Sequence, residues 1–158
     1  MNSLSFFSVI VFFACFAAVF FINSQAIQNN SNLFSFTPPY AENGVIGVFN
    51  AFFFVFVFSL LFFGFTAPVA MGVQGLVLAS KYSYFIAGLN KNFSYWSFAF
   101  IIPQFFAVFA AVSLGEGVIK DYTGKGSVYE GWNEAIKFFS IGLAVLILMV
   151  LIQNFTRF

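Results

Sequence analysis

Long apolar runs separated by polar segments dominate the chain. The longest extends from Gly44 to Ser80 without a charged side chain and breaks once, at residues 64–68, which include a glycine and a proline. A helix needs about 20 apolar residues to cross the hydrocarbon core of a bilayer. This run therefore predicts a membrane hairpin, in which a full span over 45–64 turns at the break into a shorter helix over 67–80.

Three further apolar runs predict spans over 4–22, 95–114 and 137–154, with polar loops over 23–43 and 115–136. No Lys or Arg precedes the first run, whereas a secretory signal peptide begins with a basic region, so we expect this run to be retained as a span. The expected fold is an all-α, polytopic membrane helix bundle with four full spans plus a short or re-entrant helix, five helices in all. Residues 1–158 would then form a single integral membrane domain.

Two interpretations of the arm over 67–80 stay open. It is either a re-entrant half-helix covered by its neighbours, or a complete span that continues from Lys81 to Leu89. If loop 23–43 lies outside, the re-entrant form puts Lys81 and Lys91 on the cytoplasmic side. Because cytoplasmic loops carry an excess of basic residues, the half-helix is slightly favoured.

The same rule predicts an orientation in the cell membrane. Loop 23–43 contains no Lys or Arg and is therefore expected on the extracytoplasmic side. Arg157 favours a cytoplasmic carboxyl terminus.

Composition excludes several classes of protein. The chain is 61% hydrophobic and 7% charged, whereas charged residues make up about a quarter of an ordinary soluble domain. A net charge of +1 provides no electrostatic basis for binding nucleic acid. Histidine is absent and Cys15 is the one cysteine, which excludes disulfides within the chain, Cys/His zinc sites and His-dependent catalysis. We expect no enzyme activity, no catalytic residue, no metal site and no cofactor, and we interpret the charged segment 120–134 as a solvated loop with a short surface helix.

A few polar and small residues interrupt the apolar runs. Polar groups are costly in the hydrocarbon core and mark helix contacts or transport sites. The candidates of this kind are Asn50, Gln74, Pro103 and Gln104, and the proline is expected to kink its helix. Small residues let helices approach closely. The expected packing positions are Gly64, Gly72, Gly75, Ala107 and Ala111.

The order of these residues resembles the stage II sporulation protein M (SpoIIM) family of multipass membrane proteins. The similarity covers Asn50 to Glu116 and includes Asn50-Ala51, the apolar run to Gly64, and the segments 74–79 and 101–104. The chain has Gln74, Ala79, Gln104 and Val108 where the family has Asn, Gly, His and Glu. The resemblance implies a multipass fold and a scaffold for enzymes that degrade peptidoglycan, without the family's His/Glu pair.

We therefore expect a non-enzymatic scaffold or subunit of a membrane complex. Its expected partners are the lipid bilayer and other membrane protein subunits or a second copy of the chain. The alternative is a small channel or transporter in which Asn50, Gln74 and Gln104 converge near mid-membrane, since broken helices expose backbone dipoles in transporters.

Overall fold

The chain forms five helices in a computed structural model that describes residues 3–36, 45–89 and 96–155. They are α1 (Ser3–Gln28), α2 (Val45–Leu60), α3 (Ala67–Ile86), α4 (Ile101–Tyr122) and α5 (Val128–Phe155). A 3-10 turn (Leu61–Gly64) follows α2, and a short helical turn (Trp96–Ala99) precedes α4. The described residues contain no strand.

Four helical segments are long and apolar enough to cross a membrane. They are Ser3–Gln28, Ile46–Gly64, Ser97–Tyr122 and Val128–Phe155. The prediction of an all-α membrane bundle with four long spans and a fifth helix is thus confirmed. Helices of this composition place the chain in contact with a lipid bilayer, because their outward apolar side chains would be costly to expose to water.

The first and third helices lie side by side and run in the same direction. Near their middle, Gly75 packs against the backbone of Phe12. Further along both helices, the rings of Tyr82 and Phe20 stack with their centroids 5.7 Å apart. α3 therefore lies at the same depth as α1 over most of its length. It is also the most enclosed helix, since 12 of its 20 residues are buried, whereas 5 of the 26 residues of α1 are.

The last two helices form an antiparallel hairpin that packs against α2. Gly117 meets Gly131 near the loop, and the Pro103 carbonyl faces Gly142 farther from it. The turn between α2 and α3 (residues 61–66), called the corner below, packs on α4. A β-carbon on Gly115 of α4 would overlap the backbone of Phe63 in this turn. The core between these elements is apolar. Its largest fully buried apolar side chains are Phe52, Val55, Met71, Val108, Val112 and Leu146.

Successive helices alternate in direction, which defines two ends of the bundle. The corner end holds residues 61–66 and the loop 123–127, and the opposite end holds the carboxyl ends of α1, α3 and α5. The sequence predicts that loop 23–43 and the carboxyl terminus lie on opposite sides of the membrane. With a re-entrant third helix, three helices would cross the membrane between them. Four helices, α2 to α5, traverse the bundle instead, so the beginning of that loop and Phe155 lie at the same end.

Several helices extend beyond the predicted boundaries. α3 reaches Ile86 rather than residue 80, and its 20 residues correspond to about 30 Å, which matches the interpretation of a helix that continues past Lys81. Most of the predicted loop 115–136 is helical, and residues 123–127 alone separate α4 from α5. Residues 37–44 of the first predicted loop and Arg157 lie outside the described residues.

Left-handed residues determine where these helices stop. Gly88 (φ 72°) follows α3 and Gly124 (φ 67°) follows α4. After α4, the Gly124 N–H donates to the Asp121 carbonyl at 3.0 Å and the Lys125 N–H to the Lys120 carbonyl at 2.8 Å. These are the two bonds of a Schellman motif, which satisfies carbonyls at the helix end. Helix length is therefore set by the cap and not by the end of the apolar run.

The turn between α2 and α3 has an unusual backbone. Phe62 (φ 51°), Phe63 (φ 58°) and Gly64 (φ 93°) follow one another in the left-handed region, which costs a residue with a β-carbon about 1–2 kcal/mol. The Thr66 hydroxyl donates to the Phe58 carbonyl and, at 2.9 Å, to the Leu61 carbonyl. Carbonyls left free at the end of the helix are thereby satisfied.

Candidate functional site

Two of the predicted intramembrane amides lie at one level of the bundle. Gln74 precedes Gly75, which packs on Phe12 of α1, and Gln104 precedes Phe105, whose ring lies 5.6 Å from the Phe12 ring. Both amide side chains are buried, each with 4% of its surface exposed. The structure therefore brings Gln74 and Gln104 to the same depth, on two helices that flank α1.

Two buried polar atoms of the bundle lack a hydrogen-bond partner among the described residues. They are Oε1 of Gln104 and Oγ of Ser59 on α2. An unpaired buried acceptor costs about 1–3 kcal/mol, so such groups are uncommon in a packed core. Sequence reasoning had singled out Gln104 but not Ser59, because one serine in a Phe-rich run gives no pattern.

The third amide is elsewhere. Asn50 is exposed on the outward face of α2 rather than turned toward the core. The convergence of Asn50, Gln74 and Gln104 expected for a transport site is therefore not formed, and Asn50 is separated from the buried pair.

Pro103 occupies a position that tolerates proline. The helical turn Trp96–Ala99 ends one residue before α4, which begins at Ile101 after Phe100. Pro103 thus falls in the first turn of α4, a position that proline tolerates. Phe100, between the two segments, has right-handed helical angles (φ −65°, ψ −6°). The Pro103 carbonyl points toward Gly142, where a β-carbon would lie 3.2 Å from it.

The predicted small residues lie at helix contacts. A β-carbon on Gly75 would lie 2.5 Å from the Phe12 carbonyl oxygen, whereas one on Gly72 would lie 3.2 Å from a Val11 methyl group. Gly64 is buried against α4, with Val112 Cα at 3.1 Å from the position of its β-carbon. Ala107 and Ala111 are fully buried on α4.

A close glycine contact between α4 and α5 was missed by sequence reasoning. A β-carbon on Gly131 would lie 2.6 Å from both the Gly117 Cα and the Ser113 carbonyl oxygen. The signal was present, because Ser113 and Gly117 are four residues apart, as are Gly131 and Ala135, and such pairs let helices approach. The charges nearby had led to the interpretation of this segment as a loop.

The charged residues of this segment lie on a helical hairpin at the corner end. α4 continues seven residues beyond Gly115, which corresponds to about 10 Å past the α2–α3 corner. Glu116 and Lys120 form an ion pair at 3.8 Å. Between the helices is a cleft of about 60 Å³. It is lined by Ser113, Glu116, Gly117, Lys120, Ser127, Glu130, Gly131 and Glu134.

Chemistry at this cleft is limited to carboxylates, an ammonium group and hydroxyls. Within the described ranges, no group of three or more His, Cys, Asp or Glu side chains is placed to hold a metal ion.

Asn23 is a second polar residue that sequence reasoning did not select. Its side chain is fully buried near the end of α1. The Phe34 N–H donates to Asn23 Oδ1 at 2.7 Å, and Asn23 Nδ2 donates to the Phe34 carbonyl at 3.1 Å. The pair of bonds ties the segment after α1 back to the helix, which is a structural role.

Comparisons with protein-family models, curated proteins and solved structures find no match to this chain.

Proposed function

We propose that the protein is a non-enzymatic scaffold or subunit of a membrane complex and that partners dock on the α4–α5 hairpin. The observation that carries this proposal is a charged helix pair whose backbones meet at Gly117 and Gly131 and that extends past the corner of the bundle. A preorganised surface costs less to order on binding than a flexible loop.

The charges on the hairpin support a protein partner. All the acidic residues in the described part of the chain lie there, together with three lysines. These residues are Glu116, Lys120, Asp121, Lys125, Glu130, Glu134 and Lys137. Both signs are interspersed, and complementary charges on a partner would select it and fix its register.

The resemblance to the SpoIIM family supports the same function, because it implies a membrane scaffold and not a catalyst.

The charge distribution also favours one orientation in the membrane. The lack of basic residues in loop 23–43 favours the extracytoplasmic side for the opposite end of the bundle. The corner end, with Lys120, Lys125 and Lys137, would then face the cytoplasm, and the carboxyl terminus would lie outside.

Purification from native membranes in mild detergent tests this function. The Asp121→Lys/Glu130→Lys variant reverses two exposed charges on the hairpin, and Gln25→Lys/Asn154→Lys adds two charges at the opposite end as a matched control. We expect a partner of fixed stoichiometry with the wild type and the control, and a loss of roughly tenfold or more with the hairpin variant. A particle with the mass of this chain alone in the wild type, or equal recovery of the partner from all three, would overturn the proposal.

A second function, transport, has one observation in its favour. The unpaired Gln104 oxygen lies in the middle of the bundle at the depth of Gln74, where a polar ligand or water could bind. Against it, the buried part of the described helices contains no Asp, Glu or Arg near these amides, and ion pathways usually include an ionisable group. Fluxes of K⁺, Cl⁻ and water into liposomes that contain the protein would show whether it transports any of them. Transport requires a flux that Gln74→Leu/Gln104→Leu abolishes, and equal flux or none in both proteins excludes it.

A further inference from the structure

The outward face of α2 carries a regular seam of exposed residues. Its members are Ile46, Asn50, Phe53 and Val57, spaced by four, three and four residues. This is the spacing of the a and d positions of a heptad, with Asn50 at an a position. Ile46 is 66% exposed and Val57 58%, and the ring of Phe53, 45% exposed, lies 6.2 Å from that of Phe139, so the described part of the chain leaves most of the seam uncovered.

Asn50 lies inside the hydrocarbon core. The neighbouring residue Phe52 packs against α5, with its ring 5.4 Å from that of Phe139 and beside Gly142. The apolar stretch of α5, interrupted by Ser140, runs from Phe138 to Ile152. Asn50 is two residues, or about 3 Å, from Phe52 toward the opposite end of the bundle, and it lies four residues, or about 6 Å, inside the apolar segment Ile46–Gly64.

A carboxamide at this depth needs a hydrogen-bonding partner. Transfer of such a group to an apolar medium without a hydrogen bond is strongly unfavourable, and the asparagine side chain is too short to reach the membrane surface. Ser140, which is exposed on α5, differs because its single hydroxyl hydrogen can be donated to a carbonyl of its own helix, whereas a carboxamide has two N–H hydrogens and an acceptor oxygen to satisfy. The exposed apolar residues of the seam could face lipid at no cost, but Asn50 could not.

We infer that the α2 seam is the interface of a homodimer, in which Asn50 pairs with Asn50 of a second copy. A carboxamide both donates and accepts, so two of them satisfy each other across a two-fold axis. Copies of one chain insert into a membrane in one orientation. Their α2 helices therefore meet in parallel and bring the two Asn50 residues to the same depth. A single asparagine at an a position specifies register and oligomeric state in parallel helix pairs.

This inference does not rest on the proposed scaffold function, because the seam and the charged hairpin use different surfaces. If no dimer forms, loss of a partner by the hairpin variant still supports the scaffold function. If no partner is found, a dimer through α2 still supports this inference.

Cysteine crosslinking in native membranes tests the dimer. In a Cys15→Ala background, Phe53→Cys and Val57→Cys place a thiol in the seam, and Ile147→Cys places one on the exposed face of α5 as the control. We expect disulfide-linked dimers on mild oxidation with the two seam variants and none with Ile147→Cys. Equal crosslinking at all three positions, or none in the seam, overturns the inference.

Mass measurement in mild detergent supplies a second readout. Asn50→Leu removes the amide while keeping an apolar surface, and Ser140→Leu is the matched polar-to-apolar control. We expect Asn50→Leu to weaken dimerisation by roughly tenfold, Ser140→Leu to leave it unchanged, and Asn50→Gln to restore part of it. A monomeric wild type, or the same dimer affinity for Asn50→Leu, contradicts the pairing. Because position 50 is exposed, unchanged helix content by circular dichroism verifies that folding is retained.

Discussion

The backbones of Gly117 and Gly131 touch, so closely that a β-carbon placed on Gly117 would lie 2.8 Å from the Gly131 Cα. Only glycine at both positions allows this approach. The contact joins α4 to α5 within a few residues of the 123–127 loop and fixes the hairpin that carries most of the charge of the chain.

Adding a methyl group at this contact should loosen the hairpin. Because backbone atoms must move to accept the β-carbon, we expect Gly117→Ala to lower the free energy of unfolding by about 1–3 kcal/mol. Denaturation in detergent, followed by circular dichroism, measures the loss. Gly126→Ala is the control, since its β-carbon would meet the side chain of exposed Lys120 instead of backbone. Equal stability of the two variants would argue against the contact.

The α1–α3 pair should respond to alanine in a graded way. A β-carbon on Gly75 meets the Phe12 carbonyl oxygen, which belongs to a rigid helix, whereas one on Gly72 meets the Val11 side chain and the Cys15 thiol. We expect Gly75→Ala to cost about 2–3 kcal/mol and Gly72→Ala less than about 1 kcal/mol. Thermal unfolding of the two variants in the same detergent provides the comparison. A larger loss for Gly72→Ala would mean that the helices are packed in another register.

Thr66 should contribute to stability through its hydroxyl. Replacement by valine keeps the shape but leaves the Phe58 and Leu61 carbonyls without this donor, at a turn where the backbone is already unfavourable. We expect Thr66→Val to cost about 1 kcal/mol or more.

Thr123 provides the matched control for this substitution. Its hydroxyl also bonds two helix carbonyls, those of Ile119 and Lys120, but it is exposed near the end of the hairpin. Water can replace it there, so Thr123→Val is expected to change stability by about 0.5 kcal/mol at most. If the two valine variants lose the same stability in a denaturation series, the hydroxyl of Thr66 has no special role.

Sequence reasoning found the membrane bundle because length and hydropathy alone identify helices that cross a bilayer. It failed at helix ends. Gly88 and Gly124 were visible in the sequence, but their role as caps depends on hydrogen bonds such as that from Lys125 to Lys120. The hydropathy pattern ends several residues before α4 does, and this difference gave a loop where the chain is helical.

The predicted site was found only in part, for a related reason. Gln74 and Gln104 could be placed in the membrane from their surroundings in sequence, and both are buried at one depth. The direction of each side chain depends on the rotation of its helix, which α2 settles by packing Phe52 and Val55 inward. That rotation turns Asn50 away from the core. The spacing of residues within the α2 sequence does not show which side of this helix packs against α4.

The direction of the helices is the central claim, and site-specific thiol labelling from each side of sealed membranes tests it most directly. In the Cys15→Ala background, we expect Ser31→Cys and Asn154→Cys to be labelled from one side and Lys125→Cys from the other, because α2 to α5 cross the bundle four times. Labelling of Ser31→Cys and Asn154→Cys from opposite sides would mean that α3 does not cross, and would contradict this structure.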